Sequence, residues 1–137
     1  SWYGRGPWEN YPDRKTSCLI GRWSSKVSSQ YTHYPRPQDS GNHEDVTEVT
    51  LTNKEGKGIR VTAIDRPFSF SALYYTVDDI YKATHDCDLK PRKEIILSLD
   101  AAVLGLGNSS CGPGVLKKYA IDKQKPHTLR VRFSLIK

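Results

Sequence analysis

A two-residue alternation of apolar and polar side chains is the feature that most restricts the fold of this sequence. The alternation runs through residues 47–52, stops at Asn53-Lys54-Glu55-Gly56, and resumes through residues 59–63. Because successive side chains of a β-strand point to opposite faces, this period predicts strands with one buried and one solvated face. The polar interruption ending in glycine is typical of a turn, so the segment is predicted to be an antiparallel hairpin.

Other segments repeat the same two-residue period. Apolar residues alternate with serine in residues 68–72, and further apolar alternation occurs in residues 95–99 and 129–135. Residues 17–23 form a plausible additional strand between two loop-like segments. Together these segments predict an all-β protein, folded as an antiparallel β-sandwich.

One short helix is predicted at residues 77–84. Asp78 and Asp79 would lie near its positively polarised N-terminus, where carboxylates are favourable. Its apolar side chains, Val77, Ile80 and Tyr81, are spaced to share one face.

Most of the first forty residues are predicted to be loops. Prolines at positions 7, 12, 35 and 37 exclude helix interiors and favour extended or turn backbone. The same region is rich in aromatic residues, which a flexible linker would not expose to water: Trp2, Tyr3, Trp8, Tyr11, Tyr31 and Tyr34. We therefore expect ordered loops whose aromatic side chains pack on a sheet.

Size, charge and cysteine content exclude several classes of protein. The 137 residues suffice for a single domain or part-domain, residues 1–137, but not for two independent cores. The net charge is +6, but the basic residues are scattered, so no nucleic-acid partner is predicted. No stretch approaches the roughly 18 apolar residues that cross a bilayer, so no membrane partner is predicted. Three cysteines without a CxxC pair allow at most one disulfide.

Candidate catalytic groups are not marked by their spacing. Six carboxylates come into question: Glu9, Asp13, Asp39, Glu44, Asp45 and Asp100. No two of them are spaced as an evident acid and base pair. Asp13 lies in a proline-containing turn and is predicted to fix its loop by hydrogen bonds. Asp100 ends a predicted strand and is expected to cap the next turn.

A glycine-rich segment at residues 105–114 is the most unusual loop of the sequence. Four glycines and a proline in ten residues exclude a core strand and allow close approach of the backbone to another element or a ligand. Ser109 and Ser110 lack a G-x-S-x-G context, so a serine nucleophile is not predicted. His85 and Cys87 lack a second ligand pair, so a zinc site is not predicted.

Four motifs in the same order carry a family resemblance. GRGPWENYPDRKTS at residues 4–17 resembles the G-x-G-P-x-E-N-Y-P-D-R signature of the large β-galactosidases of glycoside hydrolase family 2. RPQDSGN at 36–42 and FSFSALYYT at 68–76 are similar to two further family stretches. LDAAVLGLGNSSCGPGV at 99–115 resembles the family's L-D-x-x-x-x-G-L-G-x-x-S-C-G-P-x-V run.

The resemblance implies a place in a larger enzyme. The family's last domain is a sandwich resembling galactose mutarotase, of which this chain would be the C-terminal half. The two catalytic glutamates would lie in a (β/α)₈ barrel outside this segment, so the chain would be non-catalytic and would help to shape the active-site pocket. Implied partners are the remainder of the β-galactosidase chain and the galactoside substrate, with a possible homo-oligomer. No cofactor is implied in this segment, and Mg or Na is implied for the full-length enzyme.

The resemblance also implies substrate-binding residues in the glycine-rich loop. Some family members place a tryptophan of this loop against the second sugar, and Cys111 stands at that position here. Asn108, Ser109 and Ser110 precede it and are expected to offer polar groups to an acceptor sugar.

Two other functions remain open at the level of sequence. The chain could be a free-standing carbohydrate-binding module, with Trp2, Trp8 and Trp23 forming a sugar platform. It could also be a mutarotase-like enzyme, which requires a histidine and a carboxylate in one cleft. The four histidines, at positions 33, 43, 85 and 127, do not resemble that pattern.

Overall fold

The computed structural model describes residues 1–107 and 112–137. This part of the chain forms eight strands and one α-helix, together with three single 3₁₀ turns. In chain order the elements are β1 (Trp2–Gly6), β2 (Leu19–Trp23), β3 (His43–Val46), β4 (Glu48–Thr52), β5 (Gly58–Ala63), β6 (Phe68–Leu73), α1 (Val77–Lys82), β7 (Ile96–Asp100) and β8 (Val131–Ile136). Among the described residues, no helix is long and apolar enough to cross a bilayer.

The strands form two antiparallel sheets. The larger has the order β2-β1-β4-β5-β8, and the smaller has the order β3-β6-β7. The predicted hairpin at residues 47–63 is present as β4 and β5, which pair antiparallel with Val49 opposite Val61. An all-β sandwich of antiparallel sheets with one short helix, as predicted from the alternation, is therefore confirmed.

The core lies between the two sheets. Trp2, Val49 and Val61 come from the larger sheet, and each is at most 3% exposed. They pack in one cluster with Phe68 and Phe70 of the smaller sheet. Removing these side chains from water is the main favourable term for a sandwich of this size.

Most of the first forty residues are loops, as predicted, but β1 lies among them and β3 follows directly after them. β1 and β3 were not expected, since β1 contains two glycines and β3 is short and polar. A side chain at Gly4 would place its Cβ 2.6 Å from Cγ2 of Val46, so the glycine permits β1 and β3 to approach closely. Gly4 therefore allows a close contact between two strands and does not indicate a loop.

The helix begins where expected and ends earlier, at Lys82. Thr76 and Asp79 form a reciprocal capping box at its N-terminus. Only part of the predicted apolar face is buried: Ile80 is 5% exposed, whereas Val77 and Tyr81 are largely exposed. Of these three apolar side chains, Ile80 alone is removed from water.

One end of the larger sheet is uncovered. Trp2, Val49, Val61 and Phe133 lie in one cross-strand row. The first three are buried, but Phe133 on the edge strand β8 is 60% exposed. The smaller sheet has three strands against five, so its side chains do not cover β8.

Candidate functional site

A buried polar cluster fixes the first motif to the third strand. The Glu9 carboxylate accepts a hydrogen bond from the Gly41 amide at 2.9 Å and from the Tyr11 hydroxyl at 3.3 Å. The Tyr34 hydroxyl donates to its other oxygen. Burial and then the charge of Glu9 raise the pKa of Tyr11 far above its ordinary value, so this hydroxyl stays protonated as a donor.

Asn10 completes the attachment by bridging to the chain around β3. It is fully buried, and its Oδ1 accepts from the Glu44 amide at 2.8 Å. Its backbone amide donates to the Asn42 carbonyl at 2.8 Å, and the Asn42 side chain donates back to the Asn10 carbonyl at 2.7 Å. We call the set Glu9, Asn10, Gly41, Asn42 and Glu44 the polar lock.

Glu44 and Asp45 are held by basic side chains and by a hydroxyl. Ser69 donates to Glu44 at 2.6 Å, and Lys15 lies 3.3 Å from the same carboxylate. Asp45 accepts from Arg5 at 2.5 Å and from Lys15 at 2.7 Å. Partial burial opposes ionisation of Asp45, but these two cations outweigh it and hold its pKa below the ordinary value. The carboxylates of this region therefore serve to hold loops together.

Asp13 fixes a different part of the chain. Its Oδ1 accepts from the Leu106 amide at 3.0 Å, and its Oδ2 accepts from the Gly107 amide at 2.8 Å, across 93 and 94 residues of sequence. Partial burial opposes ionisation, but the two amides outweigh it, so the pKa of Asp13 lies below its ordinary value. The prediction that Asp13 fixes a loop is confirmed, and the fixed loop is the glycine-rich one.

The described ends of the glycine-rich segment lie side by side. A Cβ on Gly107, which has a φ of +63°, would lie 2.7 Å from the Val115 amide nitrogen. The Gly105 amide donates to the Tyr119 carbonyl at 3.1 Å. Residues 105–107 and 114–119 thus form a narrow stem, which only glycine permits at position 107.

A cleft of about 570 Å³ opens between the first motif and this stem. Its described lining residues are Asp13, Arg14, Leu106, Gly107, Pro113, Gly114, Leu116 and Tyr119. Its volume falls within the roughly 300–1,000 Å³ of pockets that bind small ligands. We call it the loop cleft.

Two side chains give the loop cleft its chemical character. The Arg14 side chain is 51% exposed, and its guanidinium lies 3.6 Å from the Glu9 carboxylate. Tyr119 offers an aromatic ring, with the Lys118 ammonium 4.6 Å from the ring centroid. Hydrogen-bond donors beside an aromatic face are the groups that bind sugar hydroxyls and sugar rings. Neither residue is marked by a local sequence pattern as a binding residue, although Arg14 belongs to the first family motif.

The predicted substrate-binding residues Asn108, Ser109, Ser110 and Cys111 lie outside the described residues. The stem that carries this segment borders the loop cleft through Gly107 and Pro113. Gly107, which directly precedes the predicted residues in the sequence, is part of the cleft wall.

The other candidates do not come together at a site. Trp2 is buried in the core, and Trp23 is partly buried against it, whereas Trp8 is 73% exposed. These three tryptophans therefore do not form the exposed sugar platform of a binding module. His85 and Cys87 are both exposed, as expected for residues after the helix. In the part of the chain with described coordinates, no group of three His, Cys, Asp or Glu residues could hold a metal ion.

Comparison with known proteins agrees with the motifs. The family model described as the β-galactosidase small chain matches residues 1–135. A β-galactosidase of Kluyveromyces lactis is 36% identical over 124 residues, which cover 90% of this chain and 12% of that protein. A β-galactosidase of Arthrobacter sp. strain B7 is 34% identical, with 96% of this chain and 14% of the relative covered.

The β-galactosidase BgaC of Bifidobacterium adolescentis is 35% identical over 98% of this chain and 13% of its own length. The chain thus spans about an eighth of the length of these relatives. The family match extends from the first motif past the glycine-rich segment, and so includes both walls of the loop cleft. The chain belongs to the β-galactosidase small chain family.

Proposed function

We propose that this chain is a non-catalytic segment of a glycoside hydrolase family 2 β-galactosidase that hydrolyses terminal β-D-galactosides. In this proposal, the loop cleft forms part of the wall of the active-site pocket on the side of the second sugar. One observation carries it: the two longest family motifs, far apart in sequence, meet at this cleft through Asp13 and residues 106–107.

The chemistry of the cleft supports a binding role rather than a catalytic one. Retaining glycosidases need two carboxyl groups about 5–5.5 Å apart across the scissile bond. Among the described lining residues, Asp13 is the single carboxylate, and both of its oxygens already accept backbone amides. The catalytic pair would therefore come from the rest of the enzyme, as would any Mg or Na that the complete enzyme uses.

The second sugar would be recognised by Arg14 and Tyr119 of the loop cleft together with residues 108–111. Arg14 would donate hydrogen bonds to sugar hydroxyls, and Tyr119 would present its ring to a sugar face. Asn108, Ser109 and Ser110 would add polar groups, with Cys111 at the position where some relatives have tryptophan. The preference for the second sugar would follow from this loop.

The uncovered edge of the larger sheet supports the proposal that a further part of the enzyme packs on this sheet. Phe133 and Leu135 on β8 are 60% and 80% exposed, although they lie on the face that is buried elsewhere in the sheet. The proposed occupant is the remainder of the β-galactosidase chain, as the second half of a galactose-mutarotase-like sandwich. When that part is missing, we expect the isolated chain to self-associate through β8. A compact monomer in analytical ultracentrifugation would contradict the half-sandwich proposal.

A direct test of the non-catalytic role is a chromogenic galactoside assay on the purified chain. No turnover above a blank is expected, because the cleft lacks a free carboxylate pair among its described residues. Activity that survives further purification would overturn the proposal. Binding of glycans by the isolated chain would instead favour a carbohydrate-binding module.

The role of the loop is tested by Cys111→Trp in the complete enzyme. An added aromatic ring should strengthen binding of glucose or another acceptor several-fold, which corresponds to roughly 1 kcal/mol for stacking. Hydrolysis of a galactoside with a small synthetic leaving group should change much less, because it does not fill the second subsite. Unchanged acceptor affinity in a folded variant would mean that the loop only closes the structure.

A further inference from the structure

We infer that Asp13 is a positioning residue that holds one wall of the loop cleft, at residues 105–107, in the shape that selects the second sugar. It would act through Leu106 and Gly107, whose amides donate to it and which line the cleft. The inference rests on the proposed function in one respect, the location of the loop at the second-sugar subsite. The attachment itself rests on the geometry of the described residues.

The attachment is bidentate and specific for a carboxylate. Each Asp13 oxygen accepts one amide hydrogen, from Leu106 at 3.0 Å and from Gly107 at 2.8 Å. Hydrogen bonds to an ionised acceptor are stronger than neutral ones. An asparagine could supply only one acceptor oxygen and would direct its NH₂ group toward the second amide.

The close approach of the Asp13 carboxylate also requires glycine at position 105. A Cβ on Gly105 would lie 2.8 Å from Asp13 Oδ2 and 2.9 Å from the Tyr119 Cβ. The chain at this point is therefore enclosed between Asp13 and Tyr119. Three consecutive residues, 105–107, are fixed by contacts with one carboxylate.

Asp13 is itself held on a rigid base. The Arg14 amide donates to the Tyr11 carbonyl at 2.8 Å, which closes a turn around Pro12 and Asp13. Tyr11 is 2% exposed and joins the polar lock through Glu9. Through Asp13, the loop stem is therefore attached to the core of the sandwich and not to a flexible surface segment.

The cleft wall depends on the position of this stem. Gly107 lines the cleft, and its backbone contacts the returning chain at Val115. Loss of either Asp13 hydrogen bond would free one amide of this wall, while the Gly105 to Tyr119 bond would still tether the stem. The expected consequence is a wider range of positions for residues 105–107, not a loss of the fold.

The test compares Asp13→Asn with Asp88→Asn in the complete enzyme. Asp88 is a matched control, since its carboxylate also accepts two backbone amides, from Thr84 at 3.1 Å and from His85 at 2.8 Å. Asp88 does not line the loop cleft. Both amides at Asp88 donate to one oxygen, Oδ2, which asparagine still provides, so Asp88→Asn removes the charge alone. A difference between the variants therefore reports the second acceptor oxygen of Asp13 and its location at the cleft.

Two measurements are made on each variant. Hydrogen exchange followed by mass spectrometry should show about tenfold faster exchange in peptides containing Leu106 and Gly107 for Asp13→Asn only. The kcat/KM for a β-galactosyl disaccharide should fall about five- to tenfold, mainly through KM. The kcat/KM for an aryl galactoside with a small leaving group should fall several-fold less.

The outcomes separate the inference from the proposed function. Exchange at Leu106 and Gly107 that matches the wild type would overturn the inference, while the Cys111→Trp test of the proposed function would still stand. Faster exchange with equal losses for both substrates would contradict the location of the loop at the second-sugar subsite, and so the proposed function as well. A similar disaccharide-specific loss in Asp88→Asn would show that surface attachments in general, and not Asp13, determine the preference.

Discussion

Glu9 and Asp13 lie four residues apart on one loop, yet their carboxylates hold different parts of the molecule. Glu9 is buried and accepts hydrogen bonds from segments that build the sandwich, at Gly41, Tyr11 and Tyr34. Asp13 lies at the rim of a cleft and accepts from the glycine-rich stem. The comparison indicates that the first half of the motif maintains the fold, and the second half maintains the shape of the cleft.

The largest effect should come from breaking the polar lock with Glu9→Ala. The change leaves the Gly41 amide and the half-buried Tyr34 hydroxyl without their acceptor, and leaves Tyr11 with only the Asp39 carbonyl at 3.4 Å. We expect a loss of about 3–4 kcal/mol in the free energy of unfolding, because unsatisfied buried donors cost about 1–3 kcal/mol each and some will rebind water. Urea unfolding of the purified chain measures it.

Glu55→Ala is the control for this change, since Glu55 lies in the exposed β4–β5 turn. It should alter the free energy of unfolding by less than about 0.5 kcal/mol. If both substitutions changed the free energy of unfolding by equally small amounts, the polar lock would contribute no more to stability than an exposed turn.

The region of the lock should also lose stability in mild acid. His43 on β3 is 1% exposed between Trp2 and Phe70, and burial lowers its pKa to about 4 despite the nearby Arg5 carbonyl. The unfolded chain binds this proton near pH 6.5, so stability is complete above that value and declines as the pH falls towards 4. The decline should reach about 3 kcal/mol, at 1.36 kcal/mol per pH unit.

The difference between the wild type and His43→Leu isolates this contribution. Urea unfolding at several pH values should show a shallower dependence between pH 6.5 and 4 in the variant. His85→Gln is the matched control, because His85 is exposed, and it should follow the wild type. Parallel curves for the wild type and His43→Leu would contradict a neutral, buried His43.

A smaller effect is expected from changing the stem of the loop cleft. Gly107→Ala combines a positive φ with a Cβ placed 2.7 Å from the Val115 nitrogen. We expect a loss of about 1–2 kcal/mol, as is typical of strain at a left-handed position. Gly114→Ala is the paired control, since nothing lies within 4 Å of a Cβ at that position, and its stability should change little. Equal stability of the two variants would show that the stem is not constrained at Gly107.

The smallest effect on stability is expected from Asp13→Asn. Two hydrogen bonds at a half-exposed site are replaced by one, so about 1 kcal/mol is expected in urea unfolding of the chain. The difference in the free energy of unfolding between Asp13→Asn and Glu9→Ala then measures how differently the two carboxylates contribute to the fold. A loss for Asp13→Asn as large as that for Glu9→Ala would place Asp13 in the fold rather than in the cleft.

The fold was largely predictable where the period of two was regular. The β4–β5 hairpin, β6, β7 and β8 follow directly from the alternation of apolar and polar residues in the sequence. Their burial does not follow from it, since β6 is buried on both faces and β8 is mostly exposed. β1 and β3 were missed because β1 carries glycines and β3 consists mainly of polar residues that are buried by the lock. Local patterns cannot report a strand whose burial depends on partners about forty residues away.

The candidate site was predictable only in its parts. The turn at Asp13 and the unusual composition of residues 105–114 were each visible in the sequence. Their contact was not, because a carboxylate and two backbone amides separated by more than ninety residues leave no local signature. Arg14 and Tyr119 were missed for the same reason, since only the fold brings them to one cleft.

A structure of the complete enzyme, with a β-galactosyl disaccharide bound and its catalytic acid neutralised, would test the proposed location of the second sugar directly. We predict that this sugar lies in van der Waals contact with the loop cleft, at Arg14, Tyr119 or residues 108–111. In the same structure, the Asp13 carboxylate should still accept the amides of Leu106 and Gly107. A second sugar bound against other parts of the enzyme, with the loop cleft filled only by solvent, would contradict a role of this cleft in sugar recognition.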